Sequence, residues 1–548
     1  MDTNRPFRKL LEAQPTAPRA ADQFALILVV VLYMGLRLWN ITSYSLWGSE
    51  SYGLAIARES WHSMLHSAVE DVAHPPLFYC LLKLWIAMGG EGLLWIKLLP
   101  VLFAIATIVP FILLCRELRL SRGATSLALL LAACDGFLVH YAQEVRGYSQ
   151  LLFLAVTSAW LFVRLFNADD QVPRKAAALS AVNLLMVYTH YHGWCVVGAE
   201  GLFLLIWGRH RLAAFAASVA GVVIAFAPWA FLVTRVALGR TKIGSEWVPR
   251  PGLADLKLVS ENLNGRPFPN VPGGALAGLL LFGMPVLLWA WQSLARSRTG
   301  QRDSIVLWWL TFLSPLPIVA LYLTSQVSRQ SLFLDRYLIF ATLAYYALVA
   351  AAVHRLQPVR FRTAYICVLA AWSLIAGFGD LRSNRMAWEG AQMGSRVDWR
   401  SLTQRLVEAE PASAGEVPLY VLSVPSKGLA AGGWAISASM GFFLDEFAHK
   451  PWRPQVGARG TMWSGRRGHF LTVSASNVSD ILRTSASEHF WVGYIRCGHC
   501  DPVPGHEPRQ QLIESGLEVG PAIEEVENDN RVVLLPVWPR HTDVTLAY

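Results

Sequence analysis

The sequence predicts a mostly α fold, a polytopic helical membrane bundle of about eleven spans followed by a soluble α/β domain on the outer face. Three observations predict it. Hydrophobic residues make up 54% of the 548, charged residues only 16%, and mean hydropathy is +0.37, values outside the soluble globular range. Apolar runs of spanning length recur from residue 23 to residue 379. Beyond residue 380 short β-rich runs replace them.

The first apolar run, Phe24 to Trp39, follows Arg5, Arg8, Lys9 and Arg19 and precedes no small-residue cleavage site, so it is expected to be an uncleaved span. Spans are expected near 23–40, 93–115, 124–140, 148–166, 176–190, 192–208, 212–234, 273–292, 304–324, 337–353 and 363–379, each long enough for a tilted helix. Leu77 to Met88 is apolar but too short, and belongs with re-entrant or interfacial helices. Charge parity supports that exclusion. The clusters Arg116/Arg119/Arg122, Arg174/Lys175, Arg209/Arg211, Arg296/Arg298/Arg302 and Arg355/Arg360/Arg362 then all share the cytoplasmic side with the N-terminus.

The resulting organisation is a cytoplasmic tail over 1–22, a membrane domain over 23–380 whose first outer loop is 41–92, and a C-terminal α/β domain over 381–548. Loops 41–92, 141–147, 235–272 and 325–336 fall on the outer face with that domain, which is periplasmic in a bacterial inner membrane. In the last domain Pro418–Ser423, Phe470–Ser474, His489–Ile495 and Val532–Val537 read as strands and Ser401–Glu410 as a helix.

The net charge of +9 does not indicate nucleic acid as a partner, because the basic residues form short topogenic clusters and no continuous stripe. Five of seven cysteines (Cys80, Cys115, Cys134, Cys195, Cys367) lie in apolar runs and act as small hydrophobes. Cys497-Gly498-His499-Cys500 follows a strand and precedes prolines, so a local disulfide is favoured over thiol redox catalysis, a metal clip or free thiols. Trp39, Trp47, Trp61, Trp85, Trp95, Trp229 and Trp247 at span ends fit an interfacial belt, with Trp47 or Trp247 also suited to stacking on the carbons of a ligand. Glu200 lies inside the sixth span, where an ionisable group is either functional or hydrogen-bonded to a neighbouring helix.

With this topology the polar groups at the outer ends of the spans converge on one face: Glu50, Asp71 and His74, then Gln143, Glu144, Arg146 and Tyr148, then His190 and His192, then Arg336 and Tyr337. Chemistry that takes a proton from a hydroxyl and builds negative charge on a leaving group needs a carboxylate and cations. That collection offers both. A nucleotide-binding loop, a dinucleotide fingerprint and a zincin pattern are all absent from the sequence.

The ordered set Leu46-Trp47-x-x-Glu50, His74-Pro75-Pro76-Leu77-x-Tyr79, Tyr141-x-Gln143-Glu144-x-Arg146-x-Tyr148, Tyr188-Thr189-His190-Tyr191 and Arg336-Tyr337-Leu338 resembles the membrane glycosyltransferases of GT-C type, in the bacterial branch similar to protein O-mannosyltransferases and lipid A aminoarabinose transferases. The resemblance covers roughly residues 20–380. It implies a GT-C-like fold, a polyprenyl-phosphate sugar donor, and inverting transfer to a lipid, glycan or protein acceptor outside the cytoplasm. The family's usual Asp-Glu pair is Ser49-Glu50 in this chain.

That departure leaves Glu50 or Asp71 as the catalytic residue, or a chain that binds without reacting. The substrate-binding set is His74, Gln143, Glu144, Arg146, Tyr148, His190, Arg336 and Tyr337. Arg146 and Arg336 suit phosphate by their rigid fork, against the plainer role of snorkelling anchors. Glu144 is expected to hold Arg146 or a neighbouring amide. A divalent metal on Glu50 and the histidines is the alternative to ordinary hydrogen-bonding histidines, and no other cofactor is expected. A transporter or flippase of lipid-linked sugar is the competing class, disfavoured because the ionisable groups sit at the outer boundary and the sequence shows no inverted repeat.

Overall fold

The computed structural model describes residues 20–43, 46, 48–239, 248, 250–267, 273–295, 301–328, 331–382, 398–410, 417–422, 440, 443–444, 465–467, 470–475, 477–484, 489–497, 507–527 and 530–539. Trp47, Trp247 and Cys500 lie outside the described residues, as does the side chain of Cys497, and with them the ligand-stacking and disulfide expectations. The described residues form two compact units. The first is drawn from Met1–Trp39, Ser67–Phe78 and Leu98–Arg385, the second from Asn40–His66, Tyr79–Lys97 and Met386–Tyr548.

In chain order the helices begin with α1 (Ala20–Leu38), α2 (Gly48–Arg58), α3 (Trp61–Asp71), α4 (Leu77–Gly89), α5 (Leu93–Ala106), α6 (Ile108–Glu117), α7 (Arg122–Cys134) and α8 (Gly136–Ala142). They continue with α9 (Tyr148–Phe166), α10 (Val172–Thr189), α11 (Gly193–Trp207), α12 (Leu212–Leu238), α13 (Leu253–Asn264), α14 (Gly274–Ala295), α15 (Gln301–Leu313) and α16 (Pro315–Val327). A 3-10 turn over Asp335–Ala341 leads into α17 (Thr342–Val353), and α18 (Val359–Arg382) follows. Among the described residues eight helical stretches are long and apolar enough to cross a membrane, nine with the bent pair α7/α8. Each of the eleven expected segments is helical, but the fifth and sixth fall short of that test: α10 opens on Arg174-Lys175 and carries Asn183, and α11 is only 15 residues long.

The third expected span departs most from expectation. Instead of one helix it is α7 and α8 meeting at 67°. The break is built by Asp135, whose extended backbone (φ −74°, ψ 110°) ends α7 while its carboxylate caps α8, accepting from the Phe137 amide at 2.8 Å. Its other oxygen accepts the Tyr346 hydroxyl at 2.8 Å. The carbonyls released at the end of α7 are not left bare. Arg37, fully buried, donates to Ala132 O at 2.7 Å and Ala133 O at 3.1 Å, placing a cation at a helix C-terminus. Its guanidinium also lies 3.4 Å from the centre of the Tyr33 ring. A Cβ at Gly377 would come within 2.5 Å of Cys134 O, so α18 approaches the break as closely as only glycine allows.

Glu200 bonds to its neighbouring helices, the plainer of its two expected roles. Ser158 Oγ on α9 donates to Glu200 Oε1 at 2.6 Å, and Asn183 Nδ2 on α10 donates to Oε2 at 3.1 Å. The tryptophan belt holds only in part. Trp39 and Trp61 are exposed, whereas Trp229 is buried and donates to Tyr191 Oη at 3.2 Å. In the second unit Trp85 and Trp95 stack at 4.3 Å and each donates to the other's carbonyl, at 2.7 and 2.8 Å, pinning α4 to the start of α5.

The second unit also holds the expected α/β elements: α19 (Trp399–Ala409), α20 (Val478–Thr484) and α21 (Pro508–Glu514), with strands β1 (Val417–Leu422), β2 (Gly465–Arg467), β3 (Phe470–Ala475), β4 (Phe490–Cys497), β5 (Leu517–Val519), β6 (Ile523–Glu527) and β7 (Asn530–Pro539). They form one sheet of order β2-β3-β1-β4-β7-β5, with β6 paired to β7. β1 runs parallel to both β3 and β4 and every one of its residues is buried, as its unbroken apolar run requires of a strand covered on both faces.

Candidate active site

The site in the first unit is assembled from four chain segments. The first is the loop Asp71–Pro76 between α3 and α4. Val72 adopts φ +59°, a left-handed conformation that costs a β-branched residue on the order of 1–3 kcal/mol. It ends α3 and turns the chain, so that His74 Nδ1 reaches Asp71 Oδ2 at 3.0 Å. Pro75 and Pro76 are buried and lead directly into α4.

The second segment, residues 143–148, is delivered by the break at Asp135. Gln143 donates to Arg37 O and Trp39 O, both at 2.8 Å, closing the C-terminal end of α1. Glu144 is buried, its carboxylate 3.7 Å from His140 Nε2, and its carbonyl accepts the Arg146 amide at 2.7 Å. Arg146 Nη2 stands 2.9 Å from His74 Nε2 and 3.2 Å from Nδ1. A donor aligned with the lone pair of one imidazole nitrogen stands far from the other, so an atom this close to both lies over the face of the ring.

The third segment is His190–His192 and the fourth is Ser331–Tyr337. His190 Nδ1 accepts the His192 amide at 3.2 Å, so the ring proton belongs on Nε2, which meets no protein partner among the described residues. His192 Nε2 donates to Leu332 O at 2.8 Å and ties the two segments together. Ring contacts then run through the site: His74 to His190 at 6.0 Å, His190 to Tyr337 at 4.8 Å, Tyr337 to Tyr148 at 6.4 Å, and Tyr148 to Tyr141 at 5.1 Å. The Arg336 guanidinium lies 5.7 Å from the centre of the Tyr337 ring.

Electrostatics follow from that packing. Burial, and next the Arg146 charge, hold His74 below its ordinary value of 6.5, with Arg336 adding to them and Asp71 pulling the other way. A neutral imidazole that donates from Nδ1 to a carboxylate therefore faces two guanidinium groups.

The structure brings Asp71, His74, Gln143, Glu144, Arg146, Tyr148, His190, Arg336 and Tyr337 into one unit. Glu50 lies in the other, on the first turn of α2, and is 1% exposed. Among the described residues no three His, Cys, Asp or Glu side chains converge as metal ligands. Asn262 and Asp335 carried no signal in the sequence, yet Asn262 Nδ2 donates to Asp335 Oδ2 at 3.1 Å and Asp335 Oδ1 accepts the Arg336 amide at 2.7 Å. The polar step from α13 to the Asp335-Arg336 pair was visible only as two separate loops.

Two solved structures share this fold. ArnT from Cupriavidus metallidurans in the apo state superposes with a TM-score of 0.58 at 14% identity, over 94% of this chain and 98% of that one. A crystal structure of ArnT from Cupriavidus metallidurans bound to undecaprenyl phosphate gives 0.56, again at 14% identity and over the same shares. No protein-family model and no curated protein matches the sequence. The fold is thus the GT-C fold that the motif set resembles.

Proposed function

We propose that this chain is a glycosyltransferase that moves a sugar from a polyprenyl-phosphate donor to a lipid, glycan or protein of the cell envelope, at the periplasmic face of a bacterial inner membrane. The observation that carries the reading is the meeting of Arg146 and Arg336 with the Asp71–His74 pair through one run of packed rings. Undecaprenyl phosphate in the ArnT structure supports a lipid phosphate as the ligand class. The positive-inside distribution supports a cytoplasmic N-terminus with the loops 41–92 and 325–336 and the 381–548 domain in the periplasm.

In this reading the two guanidinium groups and the His190 Nε2–H group bind phosphate oxygens, by bidentate geometry from arginine and a single donor from histidine. As the bond from the anomeric carbon to phosphate oxygen breaks, negative charge grows on the phosphate. Fixed cations stabilise that charge more than the ground state, which is what lowers the barrier. The acceptor hydroxyl attacks from the opposite face, inverting the anomeric centre, and its proton passes to the Asp71–His74 pair. The carboxylate of that pair is preferred to Glu50 because its side chain is 17% exposed, whereas Glu50 is almost wholly buried. Asp71 also lies on the His74 that Arg146 covers.

One observation favours a second reading. Ser49 stands where the resembling family carries an acid, which suits a subunit that binds lipid-linked glycan without transferring it. Mass spectrometry of envelope lipids, polysaccharides and proteins from cells with and without the chain separates the two. Transfer predicts a sugar missing from one fraction when the chain is absent, and a product restored by wild type but not by Arg146→Ala. An identical set of glycans in both cells contradicts it.

A further inference from the structure

We infer that His74, oriented by Asp71, is the general base of the transfer: the acceptor proton goes to His74 Nε2 and the Asp71 carboxylate acts through the ring. This deepens the glycosyltransferase reading and rests on it. Three features of the geometry support the assignment. Asp71 Oδ2 accepts from Nδ1, 3.0 Å away, which puts the ring proton on Nδ1 and the lone pair on Nε2. Arg146 Nη2, 2.9 Å from Nε2 and 3.2 Å from Nδ1, lies over the ring face and off the in-plane axis of that lone pair. The His74 side chain is 18% exposed, so the ring is not sealed from the space around it.

The arrangement matches the general pattern of a carboxylate, an imidazole and a hydroxyl in line. It also accounts for a chain with serine at position 49, since the carboxylate duty is supplied three residues before the base.

The step balances. The acceptor oxygen forms a bond to the anomeric carbon as its proton moves to Nε2. The bond from that carbon to the phosphate oxygen breaks, and its electron pair leaves on polyprenyl phosphate. The imidazolium lies between Asp71, which stabilises it, and Arg146 and Arg336, which favour prompt release of the proton to water. The groups facing His74 thus set a base that is neutral at pH 7 and active above its own titration.

The test uses the full chain in lipid nanodiscs with a panel of undecaprenyl-phosphate-linked hexoses and pentoses, following release of undecaprenyl phosphate with envelope extract as acceptor. Wild type is expected to turn over at least one donor, with a kcat/KM that falls on the acid side as one group titrates. His74→Ala is expected to lose about 10²–10⁴-fold in kcat with little change in donor KM, and added imidazole to restore part of it. Asp71→Asn is expected to lose about as much while folding normally, because the ring is no longer held in the Nδ1–H form.

His74→Ala that keeps wild-type kcat overturns the inference, as does a loss that imidazole leaves unrescued while Glu50→Gln abolishes turnover. Failure of wild type on every donor contradicts the transfer reading itself and is distinguishable from both.

Discussion

Asn262 donates to Asp335 across 73 residues of sequence, and Asp335 in turn accepts the backbone amide of Arg336. Helix α13 therefore helps to place a guanidinium that the proposed mechanism assigns to phosphate. The helix is itself fixed at the same end, two residues further on. Tyr345 Oη donates to Asn264 Oδ1 at 2.6 Å, Trp372 Nε1 donates to Asn264 O at 2.7 Å, and Gly265 takes a positive φ of 74° beside Ala376.

Removing that bond is expected to weaken phosphate binding without unfolding the protein. Asn262→Ala should lower affinity for undecaprenyl phosphate by roughly tenfold, the equivalent of one charge-assisted hydrogen bond. Asn262→Asp should lower it further, since a carboxylate would face Asp335. Titration of both variants by native mass spectrometry checks the claim, and wild-type affinity in each would show that α13 does not position Arg336.

Arg37 predicts a stability effect separate from chemistry. It holds the carbonyls of Ala132 and Ala133 at the break between α7 and α8, fully buried. Arg37→Met should destabilise the protein by about 2–4 kcal/mol, because buried carbonyls lose charge-assisted bonds. Arg37→Lys should recover only part of this, lacking the fork that spans two carbonyls. Detergent-titrated unfolding measures both. Equal stability of all three proteins is the contrary result.

The direction of the His74 shift fixes the sign of a pH dependence. Its folded value lies below the ordinary 6.5, so the unfolded chain binds the proton more readily. The contribution to stability is full above about pH 6.5 and is lost as the pH falls from there through the folded value. Thermal unfolding midpoints should drop across that acid window in wild type and less steeply in His74→Gln. Parallel curves for the two proteins would exclude His74 as the source.

Serine at position 49 supplies a gain-of-function test. Ser49→Asp should leave turnover unchanged or lower it if Asp71 and His74 already carry the proton transfer, since a second carboxylate adds charge without adding a base. A rise of tenfold or more would move the base to the first turn of α2 and point to a chain that had lost its customary acid.

Much of the fold was legible because spanning helices and buried strands carry strong periodic or continuous apolar signals, as the eleven apolar segments and β1 show. The bend at Asp135 was not, because the apolar run of 124–140 continues through it and one aspartate reads like any other interruption. Arg37 carries no signal in the sequence beyond its place near the end of the first apolar run, and only the third dimension shows the carbonyls it satisfies. Of the site, the residue types that meet in the first unit were readable from motif. The stacking of Arg146 on His74, 72 residues apart, and the bond from His192 to Leu332, 140 apart, depend on packing that no local pattern encodes. The left-handed turn at Val72 was hidden for the opposite reason, since valine is among the last residues a reader assigns to that conformation.

If Arg146 and Arg336 hold a lipid phosphate, equilibrium binding of undecaprenyl phosphate to the full chain in nanodiscs reads that contact without any chemical step. Wild type should bind saturably, Arg146→Ala and Arg336→Ala should each lose about 10–100-fold in affinity, and lysine at either position should recover only part of it. Wild-type affinity in the double alanine variant would contradict it.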